Sequence, residues 1–296
     1  MPVARTRSVL SGMRVREAMR RQMVIGRAFE TARRGVARMI KYKSDCLLIT
    51  DDEGASAGVV TKTDMTGAYY VGLPVDTLLG EIMMGPPTCC FPDDPLEDAL
   101  ETMGREQVHQ LFVKGADADQ MEGVLTYGDI LGLVYRYCRR CNKSRFRKDA
   151  RRGDGQPPDE ALVETVMTTE VPTCGIHDDL FHVMEMLSAQ PMHAALINDP
   201  EGRSAGVISK SDLVMGWYRE VDPQTTASMV MSRPVHACHR RDSLTDAIGR
   251  MLLADLGRIF VHDSDPTHIV GVMSLADAAR HRSGTCRACV SSRLIR

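Results

Sequence analysis

The chain repeats itself at a single spacing. Residues of its first half recur 148 positions later with no net insertion, so that Met19, for example, corresponds to Met167. Self-similarity at a fixed period is the sign of a duplicated structural unit. A weaker repeat lies within each half, where two aspartates stand 65 residues apart, Asp64 and Asp129 in the first half. The sequence therefore predicts four units of one fold, arranged in two equivalent halves.

Each unit carries the same seven-residue signature, in which a glycine, two apolar residues and a Ser or Thr are followed three residues later by an aspartate. The four copies are GVVTKTD at 58–64, GVLTYGD at 123–129, GVISKSD at 206–212 and GVMSLAD at 271–277. Apolar runs before and within each copy predict two strands joined by a turn. The Ser or Thr stands where a helix N-cap is favoured, and the aspartate falls in the first helical turn. Each signature thus predicts a hairpin that ends in a helix.

An amphipathic helix precedes each hairpin. It is clearest around Leu96, Ala99, Leu100 and Met103, which follow the spacing of one helical face. The order strand, helix, strand, strand, helix predicts an α+β fold, or α/β by some schemes. The predicted organisation is a disordered stretch at 1–12, a first pair of units in 13–141 (14–70 and 78–137), an exposed linker at 142–160 and a second pair in 161–296 (162–218 and 225–285).

Composition narrows the classes of function. A net charge of -2 over 296 residues gives no general attraction to nucleic acids. The basic linker has few aromatic residues besides Phe146 on which bases could stack, so we do not expect nucleic-acid binding. No apolar run reaches the roughly 18 residues that cross a bilayer. We therefore expect a cytoplasmic protein with no membrane contact.

The order of elements and the Gly-x-x-Ser/Thr-x-x-Asp signature resemble the CBS motif, named after cystathionine β-synthase. Two such motifs in tandem resemble a Bateman module, and the resemblance covers about 14–137 and 162–285. It implies motifs paired through their sheets, with two pseudo-symmetric pairs forming a disk. It also implies clefts between paired motifs that hold an adenine nucleotide or S-adenosylmethionine.

The resemblance assigns roles to the signature residues. The aspartates would accept hydrogen bonds from ribose hydroxyls: Asp64, Asp129, Asp212 and Asp277. The preceding hydroxyls would reach a phosphate at the helix N-terminus: Thr61, Thr126, Ser209 and Ser274, with a second hydroxyl from Thr63 and Ser211. Four-motif relatives place basic residues before the second strand to hold phosphates, and the comparable residues are His109, His193 and Arg258.

These sites are expected to be unequal. Asp45 takes the place of a basic residue in the first unit, and Gly128 and Ala276 replace the second hydroxyl in units two and four. A Ser/Thr-x-x-Asp at a helix start is also a good cap with no ligand, and a His before a buried strand is also a packing residue. These alternatives remain open.

Two CxxC pairs follow the last helix of each half: Cys138 and Cys141, then Cys286 and Cys289. Together they could form a four-cysteine site for zinc, or for an iron–sulfur centre, if the halves pack head to head and bring the pairs together. The alternatives are a reversible dithiol switch and no role.

The leading functional hypothesis is a non-catalytic regulatory protein that binds AMP, ADP, ATP or S-adenosylmethionine and acts on an unidentified protein partner. The alternative is metal or redox sensing by the CxxC pairs on the same scaffold. An enzyme acting on the bound nucleotide is a third hypothesis, but the sequence shows no evident nucleophile or acid–base pair for it. We expect a monomeric disk or a homodimer.

Overall fold

The fold is a fourfold repetition of one α+β unit. The computed structural model describes residue 10 and residues 12–115, 120–140, 161–189 and 192–281, with the backbone alone at 137–140. Each unit begins with a single short helical turn: α1 (Val15–Ala18), α4 (Leu79–Ile82), a 3-10 turn (Val163–Thr165) and α9 (Ala227–Val230).

The remaining elements of each unit run strand, helix, strand, strand, helix. Unit one contains β1 (Ile25–Arg27), α2 (Ala32–Tyr42), β2 (Cys46–Thr50), β3 (Ser56–Thr61) and α3 (Lys62–Tyr70). Unit two contains β4 (Cys89–Cys90), α5 (Leu96–Arg105), β5 (Gln110–Lys114), β6 (Met121–Thr126) and α6 (Tyr127–Arg140). Unit three contains β7 (Thr173–Gly175), α7 (Leu180–Ala189), β8 (Ala194–Asn198), β9 (Ser204–Ser209) and α8 (Lys210–Tyr218). Unit four contains β10 (Ala237–His239), α10 (Leu244–Leu253), β11 (Arg258–His262), β12 (Ile269–Ser274) and α11 (Leu275–Arg280).

Each unit has one three-stranded sheet, with its second strand in the middle. The middle strand is parallel to the first strand and antiparallel to the third in all four sheets. A register shift recurs at the same point, between Ile49 and Thr50 in unit one and between Ile197 and Asn198 in unit three. The predicted fold class and order of elements are confirmed.

The predicted apolar helix faces form the cores. Leu96, Leu100 and Met103 of α5 are at most 1% exposed, because their helical spacing turns all three toward the sheet. Leu252, predicted on the corresponding face of α10, is only partly buried because it lies at the edge of that face. Burial of these side chains supplies most of the driving force for folding.

The two units of each pair meet through their sheets. Leu48 of unit one packs with Phe112 and Val124 of unit two. Leu196 of unit three packs in the same way with Phe260 and Val272 of unit four, and this is the equivalent cluster of the second pair. The sheet faces that would otherwise be open to water are thus covered within each pair.

The two pairs meet through helices of equivalent units. One core joins units one and three, and another joins units two and four. Tyr69 Oη donates a hydrogen bond to the carbonyl of Val221 at 2.6 Å, and Trp217 Nε1 donates to the carbonyl of Leu73 at 2.8 Å. Tyr69 corresponds to Trp217 and Leu73 to Val221 at the spacing of 148, so the two contacts are equivalent and the pairs are related by a pseudo-twofold axis. The four units close into the predicted disk, in the order one, two, four, three.

The predicted boundaries are only partly covered by the structure. The linker at 142–160 lies outside the described residues, as does most of the stretch at 1–12. Leu10, within that stretch, is 2% exposed and packs in the core shared by units two and four, so the folded part begins earlier than predicted. Among the helices described, none has the length and apolar character needed to span a membrane.

Candidate functional site

The signature Ser or Thr and the aspartate form a capping box at the start of the last helix. In unit one, Asp64 Oδ2 accepts hydrogen bonds from the backbone N–H and the hydroxyl of Thr61, both at 2.7 Å. The Thr61 hydroxyl oxygen in turn accepts the N–H of Asp64 at 3.3 Å. The same set recurs in the other units, between Thr126 and Asp129, Ser209 and Asp212, and Ser274 and Asp277. Each capping hydroxyl is therefore committed to its helix, and a ligand can use only the outer oxygen, Oδ1, of each aspartate.

In units two and four this outer oxygen faces a cation from the chain itself. Asp129 Oδ1 lies 2.9 Å from Nε of Arg20. Asp277 Oδ1 lies 3.5 Å from a guanidinium nitrogen of Arg280, three residues later on the same helix. A ribose hydroxyl would have to compete with a guanidinium at both positions.

In units one and three the outer oxygen meets no cation. Asp212 Oδ1 accepts a hydrogen bond from the hydroxyl of Ser232 at 2.9 Å. Asp64 Oδ1 has no hydrogen-bond or ion-pair partner among the described residues. These two carboxylates are the ones best able to accept hydrogen bonds from a diol.

Each signature glycine lets the backbone of the paired unit pass close to the cleft. We call the residues between the short turn and the first strand of each unit its lead-in segment: 19–24, 83–88, 166–172 and 231–236. In unit one, Val59 exchanges backbone hydrogen bonds with Met84 of the lead-in segment of unit two. A Cβ on Gly58 would collide with the Met84 carbonyl oxygen, and a Cβ on Gly123 would lie 2.5 Å from the Arg20 carbonyl oxygen. Each cleft is thus lined by one unit's signature and its partner's lead-in segment.

A Gly58→Ala substitution is expected to destabilise the protein by about 1–3 kcal/mol, because the added methyl group meets backbone that cannot rotate away. Gly67→Ala is the matched control in α3, where a Cβ meets nothing within 4 Å. It should be neutral or stabilise the helix by about 0.5–1 kcal/mol. Thermal unfolding of both variants measures the difference, and equal midpoints would show that the glycine is not required for the crossing.

Two lysines cross between the halves of the chain to the second signature hydroxyls. Lys62 Nζ donates a hydrogen bond to the hydroxyl of Ser211 at 2.7 Å. Lys210 Nζ donates to the hydroxyl of Thr63 at 3.0 Å. Helices α3 and α8 therefore begin side by side, and each presents a hydroxyl that already contacts an ammonium group from the other half. A hydroxyl beside an ammonium group at a helix N-terminus is a favourable place for an anion.

The basic residues predicted before the second strands come together near these lysines. His109 Nε2 and His193 Nε2 lie 2.8 Å apart, so one ring donates and the other accepts. Burial, together with neighbouring His109 and Arg258, lowers the pKa of His193 to about 3. Burial also lowers the pKa of His109, although the residue as a whole is exposed. Both imidazoles are therefore neutral at pH 7.

The remaining charge in this region is mainly positive. Burial lowers the pKa of Arg258 to about 10, an effect opposed by Asp277 and Asp45. Asp45 is exposed and pairs with Lys62, so its charge is already compensated. Lys210 is 7% exposed, and burial lowers its pKa, as does the nearby Arg258. We call these groups the central basic cluster: Lys62, Lys210, Arg258, His109 and His193.

Lys62 and Lys210 were not predicted as site residues. Their signal in the sequence is that the residue after the capping Ser or Thr is lysine in TKTD and SKSD, but Tyr127 and Leu275 in the other two signatures. What the sequence does not show is that each lysine serves the opposite half. That contact depends on how α3 packs against α8.

The predicted four-cysteine site lies almost entirely outside the residues that the structure describes. Cys141, Cys286 and Cys289 lie outside the described residues, and only the backbone of Cys138 is described, so the four-cysteine site stays a prediction. A small hollow between units one and two is lined in part by Arg20, Lys43 and Val124.

Three comparisons with known proteins bear on the family and the fold. A protein of Methanocaldococcus jannaschii, described as a candidate archaeal homolog of g-AMPK, is 17% identical, with a TM-score of 0.74 over 91% of this chain and 99% of that one. A conserved protein of Pyrococcus horikoshii is 16% identical, with a TM-score of 0.59 and the same coverage of both chains. At these identities the likeness shows a shared fold. The Meiotically up-regulated gene 70 protein of Schizosaccharomyces pombe is 31% identical over 131 residues, which is 43% of this chain but only 17% of the relative.

The CBS domain family itself is matched over 79–136, 163–216 and 227–284, which correspond to units two, three and four. These ranges cover more than half of the 296 residues. Unit one lies outside them, but its sheet has the same strand order and register as the other three. The chain therefore belongs to the CBS-domain family.

Proposed function

We propose that this protein is a non-catalytic regulator that binds adenine nucleotides in two of its clefts, those of units one and three. The observation that carries the proposal is the reciprocal pair of contacts from Lys62 to Ser211 and from Lys210 to Thr63. Each contact places a cation from one half at the helix start of the other. A bound phosphate would give each ammonium group an anionic acceptor in place of a neutral hydroxyl, and so add charge attraction to the hydrogen bond.

In this proposal the ribose and the phosphate use different groups of one helix start. Asp64 and Asp212 offer their outer oxygens to the ribose hydroxyls. The phosphate lies beside the Thr63 or Ser211 hydroxyl, at the N-terminus of α3 or α8, and meets the lysine of the opposite half. The capping hydroxyls of Thr61 and Ser209 hold the aspartates in place rather than contact the phosphate.

The clefts of units two and four lack three of these features. Arg20 and Arg280 face their aspartates. Gly128 and Ala276 remove the second hydroxyl, and Tyr127 and Leu275 stand where the lysines stand in the other units, as the aligned signatures show. We therefore propose that these clefts bind nucleotide weakly or not at all.

The charge of the central basic cluster favours nucleotides over S-adenosylmethionine. The sulfonium of S-adenosylmethionine is a cation, and at the position of the phosphate it would face Lys62, Lys210 and Arg258. Like charges at close range are destabilising, whereas a phosphate would neutralise the cluster. AMP, ADP and ATP are thus the proposed ligands.

Ligand occupancy would act on the interface between the halves. Because each lysine reaches across from one half to the other, a bound phosphate ties α3 and α8 together and changes the relative stability of disk conformations. A ligand shifts such an equilibrium only by the difference in its affinity for the two states. A protein partner that reads the disk surface would sense that shift.

Thermal unfolding against AMP, ADP, ATP, S-adenosylmethionine and NAD tests the proposal. A ligand at about 100 times its dissociation constant should stabilise the fold by about 2.7 kcal/mol. We expect a raised midpoint with the adenine mononucleotides and little or none with S-adenosylmethionine. A midpoint raised only by S-adenosylmethionine, or by no compound, would contradict the proposal. Incubation with ATP followed by product analysis tests the non-catalytic part, because any steady turnover would overturn it.

Asp64→Asn and Asp212→Asn are expected to weaken nucleotide binding by about 10- to 100-fold, the loss of a hydrogen bond to a charged acceptor. Asparagine can keep its carbonyl oxygen in the capping box, but its amide nitrogen then replaces the outer oxygen and cannot accept from a ribose hydroxyl. Asp129→Asn and Asp277→Asn are the matched controls, because they change the same cap in the disfavoured clefts. Calorimetric titration of the four variants should separate the two groups, and equal losses would refute the unequal use of the clefts.

A further inference from the structure

Three metal-binding side chains converge in unit three, away from the nucleotide clefts. Cys174 lies in β7, Asp178 in the turn that follows, and His182 in the first turn of α7. One donor atom from each, a sulfur, a carboxylate oxygen and an imidazole nitrogen, lie within 4.8 Å of one another. No other group of three such side chains meets this condition within the described part of the chain.

The repeat shows what the carboxylate does elsewhere in the fold. In every unit the corresponding Asp or Glu accepts a hydrogen bond from a backbone N–H at the end of the first strand, as Asp178 does from Gly175 at 2.7 Å. The equivalent pairs are Glu30 with Arg27, Asp94 with Phe91 and Asp242 with His239. The carboxylate is thus part of the fold, and in units one and four its negative charge has a cationic partner.

In units one and four that partner is an arginine eight residues later on the following helix. Arg38 forms two short hydrogen bonds to Glu30, and Arg250 lies 3.3 Å from Asp242. In unit three the corresponding residue is Met186, so Asp178 has no guanidinium partner. Among the described residues, the basic group within 4.0 Å of Asp178 is the ring of His182, whose Nε2 lies 3.9 Å from Asp178 Oδ2 and makes no hydrogen bond to it.

We propose that a divalent transition metal, with zinc the best match, takes the place of this arginine and is bound by Cys174, Asp178 and His182. Zinc accepts sulfur, nitrogen and oxygen ligands in a tetrahedral arrangement, and three protein ligands leave the fourth position to water or another donor. The mixed donor set favours zinc over magnesium or calcium, which prefer oxygen ligands.

The burial of the three residues suits a site that is closed on one side. Cys174 is 3% exposed, whereas the side chains of Asp178 and His182 are 40% and 52% exposed. The sulfur would therefore lie at the inner side of the metal and the imidazole at the solvent side, where the fourth position opens. Burial raises the pKa of Cys174 to about 11, so the metal has to displace the thiol proton, and binding releases that proton to solvent.

Cobalt(II) provides the direct test, because a cobalt–thiolate bond gives an absorption band that carboxylate and imidazole ligands alone do not give. The metal-free full-length protein is titrated with cobalt(II), and the same titration is run on Cys174→Ser and His182→Gln. We expect each variant to bind one equivalent less than the wild type, and Cys174→Ser to lose the corresponding thiolate band. The CxxC cysteines are unchanged in every variant, so any metal that they bind cancels in the comparison.

Two further variants keep the test independent of folding defects. Cys238→Ser changes the equivalent buried cysteine of unit four, where Arg250 already pairs with Asp242, and should bind as much cobalt(II) as the wild type. Met186→Arg restores the arginine of units one and four, at a position where Arg38 is accommodated with similar burial in unit one. It should bind one equivalent less than the wild type and keep its thermal stability. Full cobalt(II) binding by Met186→Arg and His182→Gln, or equal loss in Cys238→Ser, would overturn the assignment.

Discussion

Replacing Lys210 by methionine is expected to weaken nucleotide binding while making the ligand-free protein more stable. Lys210 is 7% exposed, and within the described part of the chain its ammonium group has only the Thr63 hydroxyl as a hydrogen-bond partner. Burial and Arg258 lower its pKa, which means that the charged form is disfavoured in the folded state. Methionine has a similar length without the charge, so the ligand-free protein should gain about 1 kcal/mol or more.

The same substitution removes the proposed phosphate contact of the unit-one cleft. Loss of a charge-assisted hydrogen bond of about 1.5–3 kcal/mol corresponds to roughly a 10- to 150-fold weaker affinity. Lys62→Met should weaken the unit-three cleft in the same way, with little change in stability because Lys62 pairs with the exposed Asp45. Calorimetry with AMP measures the affinity, and thermal unfolding without ligand measures the stability.

Two controls distinguish the loss of a phosphate contact in Lys210→Met from a general loss of folding. Lys43→Met removes an exposed lysine that pairs with Asp255, and it should change stability and affinity by less than about 0.5 kcal/mol. Adenosine has no phosphate, so its affinity should be the same for Lys210→Met and the wild type. An unchanged affinity for AMP in Lys210→Met, or an equal loss for adenosine, would rule out the lysine as a phosphate ligand.

Acid is expected to destabilise the ligand-free protein through the two central histidines. The pKa of His193 lies at about 3 in the folded protein, below its usual value of 6.5, because of burial and then the charge of neighbouring groups. At a pH between these two pKa values, the His193 imidazole is protonated in the unfolded chain but not in the folded chain. The stabilising contribution is therefore present above about pH 6.5 and is lost as the pH falls toward 3. One such group contributes at most about 1.4 kcal/mol per pH unit, and solvent access reduces this figure.

The groups that face the two rings explain both the shift and its reversal by ligand. Arg258, Lys210 and Lys62 lower the pKa of His193, while Asp45 partly opposes the shift of His109. A phosphate in the central basic cluster would counter these cations and raise both pKa values. Nucleotide binding should then be tighter at pH 5.5 than at pH 7.5, with uptake of protons.

His193→Gln is the variant that tests the pH dependence. Glutamine cannot titrate, so the fall in unfolding midpoint between pH 7.5 and pH 5.5 should become smaller than in the wild type. His268→Gln replaces an exposed imidazole outside the cluster and should leave the wild-type slope unchanged. A slope that is the same in all three proteins would show that the central pair does not control acid stability.

The repeat made most of the fold predictable. Four copies of one signature, each preceded by an apolar helix face such as that of Leu96 and Met103, were enough to predict the order of elements, and the resemblance to the CBS motif implied the paired sheets. The signature also predicted the helix caps, because the positions of Thr61 and Asp64 are local in sequence. Features that depend on neighbours within one unit could be deduced from residue types and spacing alone.

The features that distinguish the clefts were harder to predict because they join residues far apart in the chain. Arg20 reaches Asp129 from another unit, and Lys210 reaches Thr63 from the other half. The basic residues His109 and His193 were predicted individually, but their direct contact follows from the pseudo-twofold packing of the halves. Likewise, the sequence does not show that His182 lies beside the buried Cys174, which only the structure brings together.

Calorimetric titration of the full-length wild-type protein with AMP, and in parallel with adenosine, addresses nucleotide binding most directly. We expect saturation at two AMP molecules per chain and at least about tenfold weaker binding of adenosine, since the phosphate contacts contribute charge-assisted hydrogen bonds. Absence of AMP binding, or adenosine binding as tightly as AMP, would contradict a role for the central basic cluster in holding nucleotide phosphates.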